Sequence, residues 1–423
     1  MKRFPFPLCF VSLSFCAAAL AFGGVPVIPG SGALAYAYDF EEPDEFDYGT
    51  GWAGEGFGLT GTQRGAPEEI WQAAAPSGGV EGSTKALFFR RHERTPEWYA
   101  LHPGAVGHRT YGQPDQENQD DFFASPRIFT AAERFSITVR VYVNLERSAQ
   151  ATFALRTTAV IQNTDTGTTS NHWPALWIYK VDGGDGVYSD LRAFIRTPYG
   201  AHSEYYDLPD IAGWWTLGMS FDETGDIHYF ARPDSAPLSR GDYLTSASRY
   251  GTHQRFLRNL DATVFISTTN FDESEEGSIQ IMDQIQIHTG GLDFYDLWAA
   301  EHFPESAFEN GRAGGMAARD QDANGSGRSN FQEYLIGNDP TGAPSPFLLQ
   351  AQSAEEGLDL RFPSRVDRVY TLLGSSDLHE WDVLREGING TGDTISLQEI
   401  NPTGAHFFRL RVLPSYWVGP EGL

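Results

Sequence analysis

The chain has 423 residues, of which 40% are hydrophobic and 20% are charged, a composition typical of globular rather than disordered proteins. At roughly 100–200 residues per domain, this length predicts two or three domains. The formal net charge of −26 argues against nucleic acid and anionic membranes as partners. It also disfavours polyanionic polysaccharides, unless an arginine-lined cleft overrides the overall charge.

The first residues have the pattern of a secretory signal peptide. Lys2 and Arg3 precede a short apolar run over residues 8–22, and small-residue cleavage patterns lie at 19–21 and 33–35. The run is too short for a membrane span, and no second hydrophobic segment follows. We therefore interpret residues 1–35 as a signal peptide and expect a secreted or cell-surface protein.

Both cysteines of the chain, Cys9 and Cys16, lie inside this predicted signal peptide. The mature protein would then contain no disulfide bond. Hydrophobic cores, together with bound metal, would have to stabilise it outside the cell.

Residues 36–290 show repeated two-residue alternation between apolar and polar side chains, separated by glycine- and aspartate-rich turns. Many antiparallel strands over this length indicate a sandwich or jelly roll. The strongest strand candidates are 135–143, 152–155, 173–179, 191–195, 214–221, 227–230, 262–266 and 279–288.

The next block, residues 291–342, changes to helical spacing. Phe294 and Trp298 belong to one predicted helix, and Phe331 and Leu335 belong to a second helix that Gly337 ends. Residues 343–423 return to strand-like alternation, which predicts a small β-sandwich at the end of the chain.

The loop between the two predicted helices has the spacing of a calcium-binding loop. A register that begins at Asp320 puts a phenylalanine at position 12, where a carboxylate is needed, whereas a register from Asp322 puts Glu333 there. The predicted ligands of a structural Ca²⁺ ion are Asp322, Asn324, Ser326, the backbone carbonyl of Arg328, Asn330 and Glu333.

This connector resembles the single calcium loops of bacterial secreted proteins that are related to thrombospondin type 3 and dockerin repeats. The matching positions include Asp322, Gly327, Glu333-Tyr334 and Asp339-Pro340. The block after it resembles the small fibronectin-like modules that often follow such connectors, through Tyr370-Thr371-Leu372, Trp381 and residues 406–410. The resemblance implies an accessory role for that module.

Residues 36–290 resemble the concanavalin A-like, or laminin-G-like, jelly rolls. The motifs that carry the resemblance are Tyr38 to Glu41, Phe135 to Val143, Trp173 to Ile178, Gly213 to Leu217 and Ile285 to His288. The resemblance implies a mainly β fold that serves lectins, glycosidases and polysaccharide lyases alike, so activity must be argued from the site.

Two kinds of chemistry are open for this domain. A lyase needs an arginine to neutralise a uronate carboxylate, and a tyrosine or histidine to move the proton; Arg196, His202 and Tyr205 supply these groups close together. Glycosidases of this fold need paired carboxylates on one strand face, and no Glu-x-Asp-x-x-Glu strand occurs.

Binding without catalysis needs only aromatic faces and polar groups, which Trp177, Tyr179 and Tyr199 would supply on one concave face. Tyr205 and Tyr206 should point to opposite faces of an extended strand. We favour a secreted polysaccharide-binding protein, with a lyase or hydrolase and an extracellular adhesion protein as alternatives. The sequence does not predict an oligomeric state.

Overall fold

The computed structural model describes residues 24–41, 46–47, 51–52, 70–90, 118–121, 129–144, 153–163, 169–172, 174–182, 188–196, 203–247, 254–256, 263–270, 279–354, 357–400, 405 and 407–417. These residues form two compact units, which meet in the sequence between Leu292 and Asp293. None of the helices within these ranges is long and apolar enough to cross a membrane.

One eight-stranded antiparallel sheet forms the first layer of the unit that ends at Leu292. Its strands follow the order β15 (Tyr243–Ser246), β14 (Ile227–Arg232), β13 (Gly213–Phe221), β7 (Ser136–Val143), β18 (Ile279–Thr289), β5 (Lys85–Arg90) and β4 (Ile70–Ala74), and β1 (Ala33–Tyr38) also pairs with β18. Strands that are distant in sequence therefore become neighbours, as in a jelly roll.

A second antiparallel sheet of eight strands forms the other layer. Its order is β12 (Ser203–Asp207), β11 (Tyr188–Arg196), β10 (Ala175–Asp182), β8 (Phe153–Asn163), β17 (Thr263–Asn270) and β6 (Asn118–Asp121), while β9 (Thr169–His172) and β16 (Gln254–Phe256) also pair with β8. Separately, β2 (Phe46–Asp47) pairs with β3 (Gly51–Trp52) in an antiparallel two-stranded sheet. This arrangement confirms the predicted mainly β, concanavalin-like jelly-roll sandwich.

The core lies between the two sheets and is built from every second residue of each strand. Val139 of β7, Leu217 of β13, Leu176 of β10 and Ile195 of β11 belong to one continuous hydrophobic cluster, and each is at most 1% exposed. The alternation visible in the sequence therefore identifies the core-facing side of these four strands.

The outer face of the first sheet is covered by other parts of the same unit. The Gly30 amide donates to Ser136 Oγ at 3.1 Å, and Thr216 Oγ1 donates to the Asp234 carbonyl at 2.9 Å. A Cβ atom on Gly218 would lie 2.8 Å from Pro29, so only glycine allows this close approach. Both faces of the first sheet are consequently buried at its centre.

The segment before β1 belongs to the folded unit. Val25, Val27 and Ile28 are at most 4% exposed, and β1 starts at Ala33 and pairs with β18. The boundary predicted at residue 35 therefore falls inside β1, and the unit reaches back to Gly24. Residues 1–23, which contain the predicted apolar run, lie outside the described residues.

The second unit, from residue 293 onward, combines the connector with the last module. It contains α1 (Phe294–His302), α2 (Asn330–Ile336), the hairpin β19 (Phe308–Glu309) and β20 (Arg312–Ala313), a sheet of β21 (Gln350–Ala354), β22 (Gly357–Pro363) and β25 (Thr394–Ile400), and a sheet of β24 (Asp382–Asn389), β23 (Arg368–Ser375) and β26 (Phe407–Pro414). Leu360, Tyr370 and Leu410 are central in the core of the small sandwich.

A buried arginine joins α2 to the small sandwich. Arg368, which is 3% exposed, donates from Nε to the Leu335 carbonyl at 2.9 Å and from Nη2 to the Tyr334 carbonyl at 2.8 Å. Its guanidinium also lies 4.6 Å from the centre of the Tyr334 ring. A cation at the C-terminal end of a helix satisfies carbonyls that lack a partner within the helix.

Asp283 makes the stability of the jelly-roll unit depend on pH. Its carboxylate is fully buried, which raises its pKa from 3.8 to about 6, although it accepts hydrogen bonds from Ser83 Oγ at 2.7 Å and from the Gln284 amide at 2.7 Å. The folded protein therefore holds this proton more tightly than the unfolded chain does. The stabilisation from the protonated carboxyl is lost as the pH rises through about 6.

We expect the free energy of unfolding of this unit to fall by about 2 kcal/mol between pH 4.5 and pH 7 through Asp283. Asp283→Asn keeps the hydrogen bond to Ser83 and should remove this dependence. Denaturant unfolding of both proteins across the pH range measures it. Equal pH slopes for wild type and variant would show that Asp283 does not titrate in this way.

Candidate functional site

Three aromatic side chains form a row across the outer face of the second sheet. Phe194 is the direct neighbour of Trp177 on β10 and of Tyr205 on β12 in the strand register. The ring centres of Trp177 and Phe194 lie 5.0 Å apart, and those of Phe194 and Tyr205 lie 5.1 Å apart. These distances are typical of favourable contacts between aromatic rings.

The row becomes more exposed toward the edge strand β12. Trp177 is 1% exposed, Phe194 is half-buried, and Tyr205 is 58% exposed. The neighbouring Tyr206 packs against the core, so the predicted divergence of Tyr205 and Tyr206 is confirmed. Trp177 differs from its predicted role, because a buried indole offers no face to a sugar ring and instead supports Phe194.

Two arginines lie on the same side of β11 as Phe194. Arg192 forms an ion pair with Asp207 of β12 at 2.8 Å, and both groups are substantially exposed. Arg196 is half-buried, and its guanidinium has no hydrogen bond or ion pair to any described residue. Its backbone carbonyl accepts a hydrogen bond from Tyr229 at 3.3 Å, which fixes this end of β11 to the opposite sheet.

The structure therefore brings Trp177, Arg196 and Tyr205 from the predicted set to one face. Tyr179 lies in β10 opposite Arg192 in the strand register. His202 and Tyr199 lie outside the described residues, so the structure places neither of them.

Sequence reasoning missed Phe194, although the signal was present. Leu191, Ala193 and Ile195 are core residues, so alternation assigns the residues between them to the outer face.

The predicted calcium loop gathers oxygen atoms around Ser326. The two carboxylate oxygens of Asp322 accept from the Ser326 and Gly327 amides at 3.0 and 2.8 Å, and Asn324 Oδ1 accepts from the Ser326 amide at 3.1 Å. Gly327 has a φ angle of 80°, as the tight turn at position 6 requires. Carboxylate, amide and hydroxyl oxygens are the ligands that Ca²⁺ prefers, so this donor set fits the ion.

Glu333, the predicted bidentate ligand, is 1% exposed at the first turn of α2. Its Oε1 accepts from Ser326 Oγ at 2.7 Å and from Arg328 Nε at 3.0 Å. Its Oε2 accepts from Asn338 Nδ2 at 3.0 Å. The Arg328 side chain is thus a partner of the carboxylate, a contact that the sequence prediction did not include.

Asn330 has a different role from the predicted one. Its side-chain amide is 1% exposed and donates to the carbonyls of Met316 and Ala318 at 2.8 and 2.9 Å, while its Oδ1 accepts from the Ala323 amide. Every polar atom of the side chain therefore ties the loop to the segment before it. We assign Asn330 to the scaffold of the loop rather than to its ligands.

A second polar cluster lies at the β13–β14 turn. His228 bridges Ser246 Oγ, at 2.7 Å from Nδ1, and Asp222 Oδ2, at 3.3 Å from Nε2. These groups and Asp226 are at most 4% exposed, and Asp222 Oδ1 accepts hydrogen bonds from Thr224 and Asp226. The order of serine, histidine and aspartate resembles a nucleophilic triad, but all of these side chains are buried, and they link the turn to β15.

No protein-family model and no curated protein matches the chain. Similar solved structures include the catalytic domain of a family 131 β-glucanase from Podospora anserina, with 12% identity, coverage of 62% of this chain and 98% of that chain, and a TM-score of 0.36. A family 16 endo-glucanase from Bacteroides ovatus has 11% identity, coverage of 60% and 99%, and a TM-score of 0.31. An alginate lyase from Pseudomonas aeruginosa has 10% identity, coverage of 48% and 82%, and a TM-score of 0.29.

The burial gradient along the aromatic row predicts unequal effects on stability. Trp177→Ala should lower the free energy of unfolding of the jelly-roll unit by about 3–5 kcal/mol, because it leaves a cavity beside Phe194. Tyr205→Ala should change it by less than about 1 kcal/mol, because the ring is mainly exposed. Denaturant unfolding tests both; a large loss for Tyr205→Ala would mean that this tyrosine is part of the packing.

Proposed function

We propose that the protein is extracellular and binds a polysaccharide on the outer face of the second sheet. The observation that carries this proposal is the aromatic row that ends in exposed Tyr205. Arg196, on the neighbouring strand of the same face, has a guanidinium with no hydrogen bond or ion pair to any described residue. Sugar rings present C–H faces that stack on aromatic side chains, and their polar groups need hydrogen-bond donors and acceptors nearby. Phe194 and Tyr205 supply the first kind of contact, and Arg192, Arg196 and Asp207 supply the second.

The packing beneath the row favours binding by a preformed surface. Trp177 holds Phe194 from one side, and the Arg192–Asp207 ion pair links β11 to β12. A surface that is already ordered loses less conformational entropy when a ligand binds.

A polysaccharide lyase is the second candidate. Arg196 and Tyr205 are, respectively, a cation for a uronate carboxylate and a hydroxyl for proton transfer, and they lie on adjacent strands of the same face. Such an enzyme would use the same surface, so one experiment can distinguish the two functions.

Purified protein should be tested for binding to a panel of neutral and uronate-containing polysaccharides by affinity electrophoresis. We expect retardation by at least one glycan, about tenfold weaker binding for Tyr205→Ala, which loses a stacking platform, and weaker binding for Arg196→Gln. Arg361→Gln, an exposed substitution in the small sandwich, is the matched control and should bind like wild type.

The same mixtures should be examined for products. Ultraviolet absorbance would reveal the unsaturated uronates that a lyase forms, and new reducing ends would reveal hydrolysis. Binding without product supports a binding protein; unsaturated product that Tyr205→Phe abolishes supports the lyase. No interaction with any glycan would contradict both proposals and favour an adhesion role through protein contacts.

We further propose that the loop from Asp322 to Glu333 binds one structural Ca²⁺ ion. Asp322, Asn324, Ser326 and Glu333 would hold it with their side-chain oxygens, and Arg328 with its backbone carbonyl. The ion would neutralise the two carboxylates and stiffen the turn before α2.

Millimolar calcium should raise the melting temperature of the unit from residue 293 onward, because an ion that binds only the folded loop stabilises it by mass action. Glu333→Gln should abolish the shift. Differential scanning calorimetry with calcium, and with magnesium as the control, measures it. An equal shift for wild type and Glu333→Gln would place the ion elsewhere.

A further inference from the structure

We propose that Arg328 is a tethered competitor of the calcium ion, and that its displacement from Glu333 couples ion binding to the segment that leads into the small sandwich. This inference rests on the proposed calcium site and deepens it. It concerns the effect of Arg328 on the affinity of the loop for calcium, rather than the ligands themselves.

The guanidinium takes the oxygen that the ion would need. Arg328 Nε and Nη2 lie 3.0 and 2.9 Å from Glu333 Oε1. A calcium loop of this type uses both oxygens of the position-12 carboxylate. An ion that binds there must therefore break the contact with Arg328.

The contact is strong because Glu333 is buried. The carboxylate side chain is 1% exposed and that of Arg328 is 20% exposed, so neither charge is well screened by water. A buried carboxylate is stable only with a counter-charge and hydrogen-bond donors, and Arg328, Ser326 and Asn338 supply these. The chain thus carries within the loop the positive charge that calcium would otherwise supply.

Competition of this kind lowers the affinity for the ion. Every bound ion must displace the guanidinium, and a displaced guanidinium that stays near the loop repels a divalent cation. Replacing Arg328 with a neutral residue removes both costs, so calcium should bind about tenfold or more tightly.

The same arginine also holds the segment before β21. Its Nη2 donates to the Ser345 carbonyl at 2.7 Å, and Asn338 Nδ2 donates to the same carbonyl at 3.1 Å. Asn338 in turn donates to Glu333 Oε2. Calcium that engages both oxygens of Glu333 therefore competes, for that carboxylate, with the two side chains that also hold Ser345.

The test is isothermal titration of the full-length chain with calcium, comparing wild type with Arg328→Gln. We expect binding about tenfold or more tighter for Arg328→Gln, together with a lower melting temperature in the presence of a chelator, because Glu333 loses its counter-charge. Arg361→Gln is the control and should match wild type. Arg328→Lys retains the positive charge but lacks the planar guanidinium. Its calcium affinity should lie between those of wild type and Arg328→Gln.

The outcomes separate this inference from the proposed calcium site. Equal or weaker binding by a folded Arg328→Gln protein, with wild type still binding through Glu333, would overturn the competition and leave the calcium site standing. If Arg328→Gln binds calcium and wild type does not, the competition is supported, because Arg328 then excludes the ion from the wild-type loop. Absence of binding by every variant would overturn both proposals.

Hydrogen exchange at the amides around Ser345 gives a second, independent measurement. Calcium should speed exchange there in wild type, whereas in Arg328→Gln exchange should already be fast and insensitive to calcium. Slower exchange on calcium binding in wild type would contradict the coupling.

Discussion

The alternation of side chains along a strand governs how this protein presents its surfaces. A strand that turns one residue toward the core must turn the next away from it, and the outward residue then needs either cover or solvent. In the first sheet the chain supplies cover, since the segments around Gly30 and Asp234 lie over β7 and β13. In the second sheet the outward residues of β10, β11 and β12 include the aromatic row, which reaches solvent at Tyr205. The proposed binding face is therefore the one on which a large aromatic side chain, Tyr205, remains exposed.

Strand positions could be predicted wherever the alternation was regular. Residues 135–143, 214–221 and 279–288 correspond closely to β7, β13 and β18. The prediction failed where an exposed edge removed the pattern: β24 is mainly exposed and was not identified. The segment from Gly24 was interpreted as part of the signal peptide, because its burial depends on Ser136 and Ser220, which are more than a hundred residues away in sequence.

The candidate site shows the same limit. The divergence of Tyr205 and Tyr206 follows from strand geometry alone, so the sequence was sufficient to predict it. The burial of Trp177 was not predictable, because alternation assigns a side chain to a face but does not say what lies above that face. In the predicted calcium loop, spacing selected the candidate oxygen donors, but it could not show that Asn330 is fully engaged with Met316 and Ala318. Nor could it show the Arg328–Glu333 contact, which depends on side-chain conformation.

The connector cannot act as a free spacer before the small sandwich. Arg368, from the start of β23, binds the last carbonyls of α2, and the Tyr334 hydroxyl lies 3.3 Å from that of Tyr416. Removing one partner from such a buried polar contact is costly, so the end of α2 and the small sandwich are expected to move as one body. Glu333 lies in the first turn of this short helix, so whichever cation neutralises it acts directly on an element that is anchored at its other end. The loop is thus placed to affect the module that follows it, through α2 and through Ser345, rather than only its own conformation.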